Sequence, residues 1–263
     1  NWTITEPAAA LAVSLDGTSD VSCFGGNDGA VNISVSGGTT AYSFAWTGPS
    51  GYTSSDEDIS GLIAGDYNVT VTDANGCSAN GGPYTVGQPA AALSITLDLI
   101  TNITCNGDDD GAIEVTVTGG TTAYSFAWTG PAGYTANTED ISGLAPGDYN
   151  LLVTDANGCT ANSGPHTITQ PDVLVVSLVS QTDVNCFGEA TGALDISVAG
   201  GTTAYTYAWT GPGSFTANTE DISGLLAGTY TVNITDDHGC TTSDSWTITE
   251  PAAALAVSLD GTS

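Results

Sequence analysis

Apolar and polar side chains alternate with a period of two through many short stretches of this chain, and no stretch carries a helical period. Tyr42, Phe44 and Trp46 fall at i, i+2 and i+4 and share one face of a strand, while Ser43, Ala45 and Thr47 share the other. A ring series of that spacing reads as a buried face. The first such region predicts strands over Ala10–Leu15, Asp20–Phe24, Ala30–Ser36, Ala41–Thr47, Asp58–Leu62, Tyr67–Thr72 and Pro83–Gly87. Between them, Gly25-Gly26-Asn27-Asp28-Gly29, Gly37-Gly38, Gly48-Pro49-Ser50-Gly51 and Asp73-Ala74-Asn75-Gly76 are turn sequences. Seven short strands in about 82 residues predict a small antiparallel two-sheet sandwich of immunoglobulin type.

The pattern recurs. Trp46, Trp128 and Trp209 lie 82 and 81 residues apart, as do Cys23, Cys105 and Cys186, and again Cys77, Cys159 and Cys240. Pro7, Pro89, Pro171 and Pro251 mark the joints. The expected organisation is three repeats, 8–89, 90–171 and 172–251. Trp2–Ser19 and Trp246–Ser263 are identical, so the chain reads as an excerpt of a longer array. Residues 1–7 are then expected to be the last strand of a preceding repeat, and 252–263 the first strand of a following one. Joints such as Glu6-Pro7-Ala8 and Gln88-Pro89-Ala90 are too short and too stiff to be flexible linkers, which predicts a rigid rod.

Composition sharpens the picture. The chain has 263 residues, no Lys or Arg, and 29 Asp and Glu, for a formal charge of −29. Nucleic acid and anionic membrane surfaces are excluded as partners, because both are bound through cationic side chains. Lysine Schiff bases, phosphate-binding P-loops and arginine clamps are excluded with them. Stability must come from apolar burial, backbone ladders and cross-links, against a self-repulsion that only dissolved ions weaken, so a salty or cation-rich medium is expected. No apolar run approaches a membrane span; the longest candidate, Ala8–Leu15, is interrupted by Ser14. No charged leader region opens the chain, which an excerpt would explain.

Several motifs together carry a family resemblance. Each repeat contains Cys, Gly-Gly-Thr-Thr-Ala-Tyr-x-(Phe/Tyr)-Ala-Trp, Ile-Ser-Gly-Leu-x-x-Gly-x-Tyr, Thr-Asp-(Ala/Asp)-(Asn/His)-Gly-Cys and a closing (Glu/Gln)-Pro. An Asp-Gly-Ala-(Val/Ile) turn accompanies them in the first two, where the third has Gly188-Glu189-Ala190-Thr191-Gly192. The string resembles the SprB-type repeat of large cell-surface, gliding-motility adhesins of Bacteroidetes-like bacteria. The resemblance implies an immunoglobulin- or PKD-like sandwich repeated in a surface filament and exported by a type IX route.

The cysteines are the strongest chemical signal. Each repeat holds two, 54 residues apart, and an even count without metal-ligand spacing reads as oxidised pairs made outside the cytoplasm. The first expectation is a bridge inside each repeat: Cys23–Cys77, Cys105–Cys159 and Cys186–Cys240. The alternative is a staple across the joint, Cys77–Cys105 and Cys159–Cys186. No cofactor is expected. Weakly bound calcium is the one candidate, at Asp108 and Asp110 of Asn106–Gly111, which opens like an EF-hand loop but has Val117 where the bidentate Glu should stand. The acidic cluster Asp56-Glu57-Asp58 recurs as Glu139-Asp140 and Glu220-Asp221, and reads as a solubilising stripe.

Tyr67, Tyr149 and Tyr230 read as corner tyrosines. Tyr52, Tyr134 and Phe215 sit in Gly/Pro-rich loops where nothing obvious would bury them, and are the candidates for lateral assembly or for stacking on surface glycans. His166 stands where other repeats have Trp2, Tyr84 and Trp246, a ring filling a shared site, and His238 is a turn variant. No nucleophile–histidine constellation recurs, so no enzyme is expected. The sequence thus reads as spacer repeats of an extracellular filament or adhesin, in a homo-oligomer or bundle; the alternative is a glycan-binding array.

Overall fold

The computed structural model describes residues 9–253; the flanking strand expected in 1–7, with Trp2, and all but the first two residues of the one expected in 252–263 lie outside the described residues. The first repeat contributes β1 (Ala12–Ser19), β2 (Gly29–Ser36), β3 (Ser43–Thr47), β4 (Thr53–Ser54), β5 (Ile59–Leu62), β6 (Gly65–Thr72) and β7 (Ser78–Val86). The second contributes β8 (Ser94–Thr101), β9 (Gly111–Thr118), β10 (Ser125–Thr129), β11 (Thr135–Ala136), β12 (Ile141–Leu144), β13 (Gly147–Thr154) and β14 (Thr160–Ile168). The third contributes β15 (Val175–Thr182), β16 (Gly192–Ala199), β17 (Thr206–Gly211), β18 (Phe215–Ala217), β19 (Ile222–Leu225), β20 (Gly228–Thr235) and β21 (Thr241–Ile248). Apart from three-residue 3-10 turns such as Pro49–Gly51, no helix interrupts the described residues.

Each set of strands makes one three-stranded and one four-stranded sheet. In the first repeat the orders are β1-β2-β5 and β4-β3-β6-β7, and in the third β15-β16-β19 and β18-β17-β20-β21, all antiparallel. The second shows the same orders, β8-β9-β12 and β11-β10-β13-β14. These are immunoglobulin-like sandwiches in tandem.

Contacts gather the chain into two compact units. One runs up to Leu99 and adds Glu114–Asp140 and Tyr149–His166; the other comprises Ile100–Ile113, Ile141–Asp148 and the chain from Thr167 on.

Period-two alternation builds the cores. Along β6, Tyr67, Val69 and Val71 are buried while Asp66, Asn68 and Thr70 face out. They meet Val31 and Ile33 of β2, Ile59 and Leu62 of β5, Trp46 of β3 and Val86 of β7 in one cluster, so both sheets line a single core. The third repeat repeats this with Leu194, Ile196, Trp209, Ile222, Leu225, Tyr230, Val232, Ile234 and Ile248. Of the predicted ring face, Trp46 is buried, with its indole N–H donated to the Asp56 carbonyl at 2.9 Å; Tyr42 and Phe44 pack half-buried against the same cluster.

One predicted strand is corrected. Asp20–Phe24 is a turn, because its backbone donors go to a side chain and to the residue after β7 rather than to a ladder. The Asp28 carboxylate accepts from the Ser22 N–H at 3.0 Å, and Val21, itself buried, gives its N–H to the Gly87 carbonyl at 2.9 Å. The Gly37-Gly38 turn needs glycine: φ at Gly37 is 69°, and a Cβ there would collide with the backbone carbonyl of Ala10.

Candidate functional site

The two cysteines of a repeat occupy opposite ends of its sandwich. Cys23 lies in the turn after β1, and the Val21 N–H to Gly87 O bond fixes that turn beside the end of β7, where the chain leaves for the next repeat. Cys77 lies in the loop joining β6 to β7. Gly65 pairs with Val86 at one end of this ladder and Thr72 with Ser78 at the other, so the Cys77 loop stands a full strand length away. Eight residues of strand span roughly 25 Å, whereas a disulfide holds its Cα atoms below about 7 Å.

The expected bridges are accordingly corrected. Cys23 bonds Cys159, with Cα atoms 5.7 Å apart, and Cys105 bonds Cys240, at 5.6 Å. Neither the pairs inside a repeat nor Cys77–Cys105 and Cys159–Cys186 form. The first cysteine of one repeat, at its exit end, reaches the second cysteine of the next, at its entry end. Closing about 135 residues is worth roughly 5 kcal/mol by the chain-entropy relation. Cys77 and Cys186 are free and exposed.

Hydrogen bonds build the exit turn onto the joint. The Gly25 N–H donates to the Gln88 side-chain oxygen at 2.8 Å, the Gly107 N–H to that of Gln170 at 3.0 Å, and the Gly188 N–H to the Glu250 carboxylate at 2.7 Å. The residue before each joint proline thus holds the cysteine turn. Asp20 accepts from the Gly87 N–H at 2.7 Å, and Asn102 and Asp183 do the same for Thr169 and Thr249 at 2.9 Å. Sequence reasoning missed these residues, although Gln or Glu stands before every one of these prolines.

The entry loop is organised by a carboxylate. Asp73 is buried and accepts from the N–H groups of Thr39 at 2.9 Å, Asn75 at 3.0 Å and Cys77 at 2.8 Å. Asp155 and Asp236 bind Thr121 and Cys159, and Thr202 and Cys240, in the same way. The Thr39 and Cys77 donors hold the Asp73 carboxyl below the usual carboxylate range. At Asp155 and Asp236 burial pushes upward, but the same ring of donors outweighs it and the carboxyl again lies low. Across the first joint the Asn157 side-chain N–H donates to the Ser22 carbonyl at 2.9 Å, beside the Cys23–Cys159 bond.

The other candidate residues have partners within the fold. Asp110 accepts from the Thr104 N–H at 3.0 Å, the contact Asp28 makes with Ser22, and Thr104 lowers its carboxyl in turn. In the third repeat the Thr191 hydroxyl replaces it, accepting from the Asn185 N–H at 2.9 Å. Asp108 gives its backbone N–H to the Cys105 carbonyl at 3.0 Å. Among the described residues no three His, Cys, Asp or Glu side chains converge on a point that would hold a metal ion. Within the acidic stripe, Asp58, Asp140 and Asp221 are bound rather than free, accepting from the N–H groups of Ile33, Val115 and Ile196 at 2.9–3.0 Å.

Tyr52, Tyr134 and Phe215 do not stand clear of the surface, and that expectation is corrected. Each is half-buried, with its ring edge-on to the corner tyrosine of its repeat: Tyr52 on Tyr67 and Tyr134 on Tyr149 with centroids 5.3 Å apart, Phe215 on Tyr230 at 5.2 Å. Gly48 opens the space, since a Cβ there would press on the Tyr67 ring. The corner hydroxyls of Tyr67 and Tyr230 donate to the carbonyls of Ile63 and Leu226 at 2.9 and 3.0 Å. His166 fills a ring site against Trp128 at 6.0 Å, as Tyr84 does against Trp46 and Trp246 against Trp209. Its Nε2 lies 2.9 Å from the Ser163 hydroxyl, and burial lowers its pKa.

Tandem immunoglobulin-like sandwiches, each bonded to the next, define a modular β-repeat protein. The SprB repeat family model matches residues 16–51, 99–133 and 178–214, each match holding the exit cysteine of its repeat, which is consistent with repeats of the SprB type. No curated protein matches the chain. Solved structures that resemble it include the three N-terminal domains of the bacteriophage RB49 highly immunogenic outer capsid protein, at 13% identity and TM-score 0.37, covering 90% of this chain and 97% of that one. Extracellular domains 3–5 of Drosophila OTK match at 12% and 0.31, covering 86% and 92%. A tetra-tandem repeat from the extending region of a large adhesion protein matches at 17% and 0.28, covering 90% and 74%.

Proposed function

We propose that these repeats are structural spacers of a long extracellular filament or cell-surface adhesin, projecting or tethering a binding tip for attachment or surface motility, and exported by a type IX route. The observation that carries the reading is the covalent staple at both joints, Cys23–Cys159 and Cys105–Cys240. A bond that crosses each joint limits bending there and carries tension past the peptide linker. The SprB-type repeat and the oxidised cysteines support a location outside the cytoplasm. The spacer reading is favoured over glycan stacking because Tyr52, Tyr134 and Phe215 are half-buried and each packs on its corner tyrosine.

Lateral bundling of identical chains would use the open edges. β1, β8 and β15 lie at the rims of their sheets and expose Leu15, Leu97, Leu99, Val175, Leu178 and Val179. Salt-induced association seen by light scattering, and lost in a Leu99→Asp/Val179→Asp chain, is the expected result.

Single-molecule pulling tests the spacer role. With both staples closed, the shortest covalent path from end to end runs through roughly 100 residues, so the oxidised chain should stop extending near ~340 Å, and the reduced chain near ~900 Å. Equal extension in both states would remove the tension-bearing role.

A further inference from the structure

Two cysteines remain outside the staples, and they are not equivalent. Cys186 occupies the position of Cys23 and Cys105, in the exit turn of the third repeat. Cys77 occupies the position of Cys159 and Cys240, in the entry loop of the first. Both equivalents of each are disulfide-bonded, always exit to entry. The scaffolds are the same as well. The Cys186 carbonyl accepts from the Glu189 N–H at 3.1 Å, as that of Cys23 accepts from Gly26 at 2.9 Å, and Gly188 is tied to Glu250 as Gly25 is to Gln88. The Cys77 N–H is held by Asp73 at 2.8 Å, as Cys159 is by Asp155 at 2.9 Å and Cys240 by Asp236 at 2.8 Å. Both free thiols are exposed, whereas all four bonded cysteines are half-buried.

We propose that Cys186 and Cys77 are the two open halves of this same staple, each fitted to the complementary cysteine of an adjoining repeat, and that two copies of the chain supply that pair to one another as a Cys186–Cys77 disulfide. The inference rests on the joint geometry and does not require the adhesin reading. The bond needs an oxidant, here a small-molecule disulfide such as oxidised glutathione. The Cys186 thiolate attacks it, forms a mixed disulfide and releases one thiol. The Cys77 thiolate of a second copy then attacks the Cys186 sulfur and releases the other thiol. Two cysteine thiols lose two electrons and two protons, and one glutathione disulfide becomes two thiols. Since each copy keeps one exit and one entry cysteine, the product grows as a linear series.

The test uses the full chain with its joint disulfides intact, treated with oxidised glutathione and run on a non-reducing gel. The expected product is a ladder at multiples of the chain mass. Peptides cut at Asp and Glu should contain Cys186 bonded to Cys77. Cys77→Ser and Cys186→Ser should each stay monomeric alone, while their mixture gives a single dimer, at least ten-fold above either homodimer. Monomer only in the oxidised chain, or variants that dimerise alone as readily as the mixture does, would overturn the proposal, the second outcome showing unselective coupling of surface thiols.

Discussion

Gln88 accepts a hydrogen bond from the backbone N–H of Gly25 at 2.8 Å, and so ties the residue before a joint proline to the turn that carries a joint cysteine. The linker and the staple of the first joint are therefore one structure. Gln88→Ala removes the contact and leaves both sulfurs in place. At about 1 kcal/mol for such a bond, the Cys23 turn opens roughly five-fold more often. Reduction of Cys23–Cys159 by dithiothreitol should accelerate by about that factor, with Cys105–Cys240 unchanged, as read by timed alkylation and mass spectrometry. Equal rates in the two chains would show that Gln88 does not hold the turn.

The loop aromatics should behave as core pieces. Tyr67→Phe keeps the ring and loses only the hydroxyl bond to Ile63, a cost of about 1 kcal/mol. Tyr52→Ala strips the edge-on partner and half-buried area from Tyr67, and should cost about 2 kcal/mol. Denaturant midpoints measure both. A Tyr52→Ala chain as stable as its parent would return that ring to the list of ligand platforms.

These contrasts mark what the residues disclosed in advance. Tyr42, Phe44 and Trp46 announced a sheet face turned to the core because period-two spacing is a local property of a strand. The pairing of Cys23 was hidden because it depends on which end of the sandwich each loop reaches, and that follows from the β6–β7 register rather than from spacing along the chain. Tyr52 looked stranded in its loop because the room made by Gly48 beside Tyr67 is a tertiary fact. Asp20–Phe24 passed for a strand because Val21, Cys23 and Phe24 make a short apolar stretch, while the side-chain acceptors that turn it lie at Asp28 and in Gln88.

Asp73, Asp155 and Asp236 make stability depend on acid. Each carboxyl is lowered in the folded chain below its ordinary value of 3.8. Stabilisation from a lowered carboxyl is complete above the unfolded value and disappears as pH falls through the folded one. Asp73→Asn should therefore lower the unfolding midpoint at pH 7, and the gap between variant and parent should close between about pH 5 and the lowered native value. A gap that is constant across that range would mean that charge is not what the loop uses.

His166 acts at a higher pH and with the same sign. Burial against Trp128 favours the neutral ring, so its folded pKa lies below the unfolded 6.5. The neutral ring's contribution is complete above 6.5 and is lost as pH drops, because the unfolded chain takes up the proton first. His166→Tyr supplies the ring that Tyr84 provides against Trp46. This variant should lose the part of the stability decline that begins near pH 6.5, while the parent retains it. Thermal melts at pH 7.5 and 5.5 measure the difference.

Salt separates general screening from a calcium site. A chain carrying −29 with no Lys or Arg repels itself at every scale that solvent ions do not screen. Screening lengths fall from about 30 Å at 0.01 M to about 10 Å at 0.1 M and 3 Å at 1 M, so most of the gain in stability should arrive by the first few tenths molar. Because Asp110 is engaged by Thr104 and Asp108 binds through its backbone, the Asn106–Gly111 turn has no free set of oxygens aimed at one point. Sodium and calcium at matched ionic strength should then raise the melting midpoint alike, apart from the stronger screening of a divalent ion. An added calcium increment that saturates at low millimolar concentration and vanishes in Asp108→Asn/Asp110→Asn would reinstate a specific site, since diffuse screening neither saturates there nor depends on two carboxylates out of 29 acidic residues.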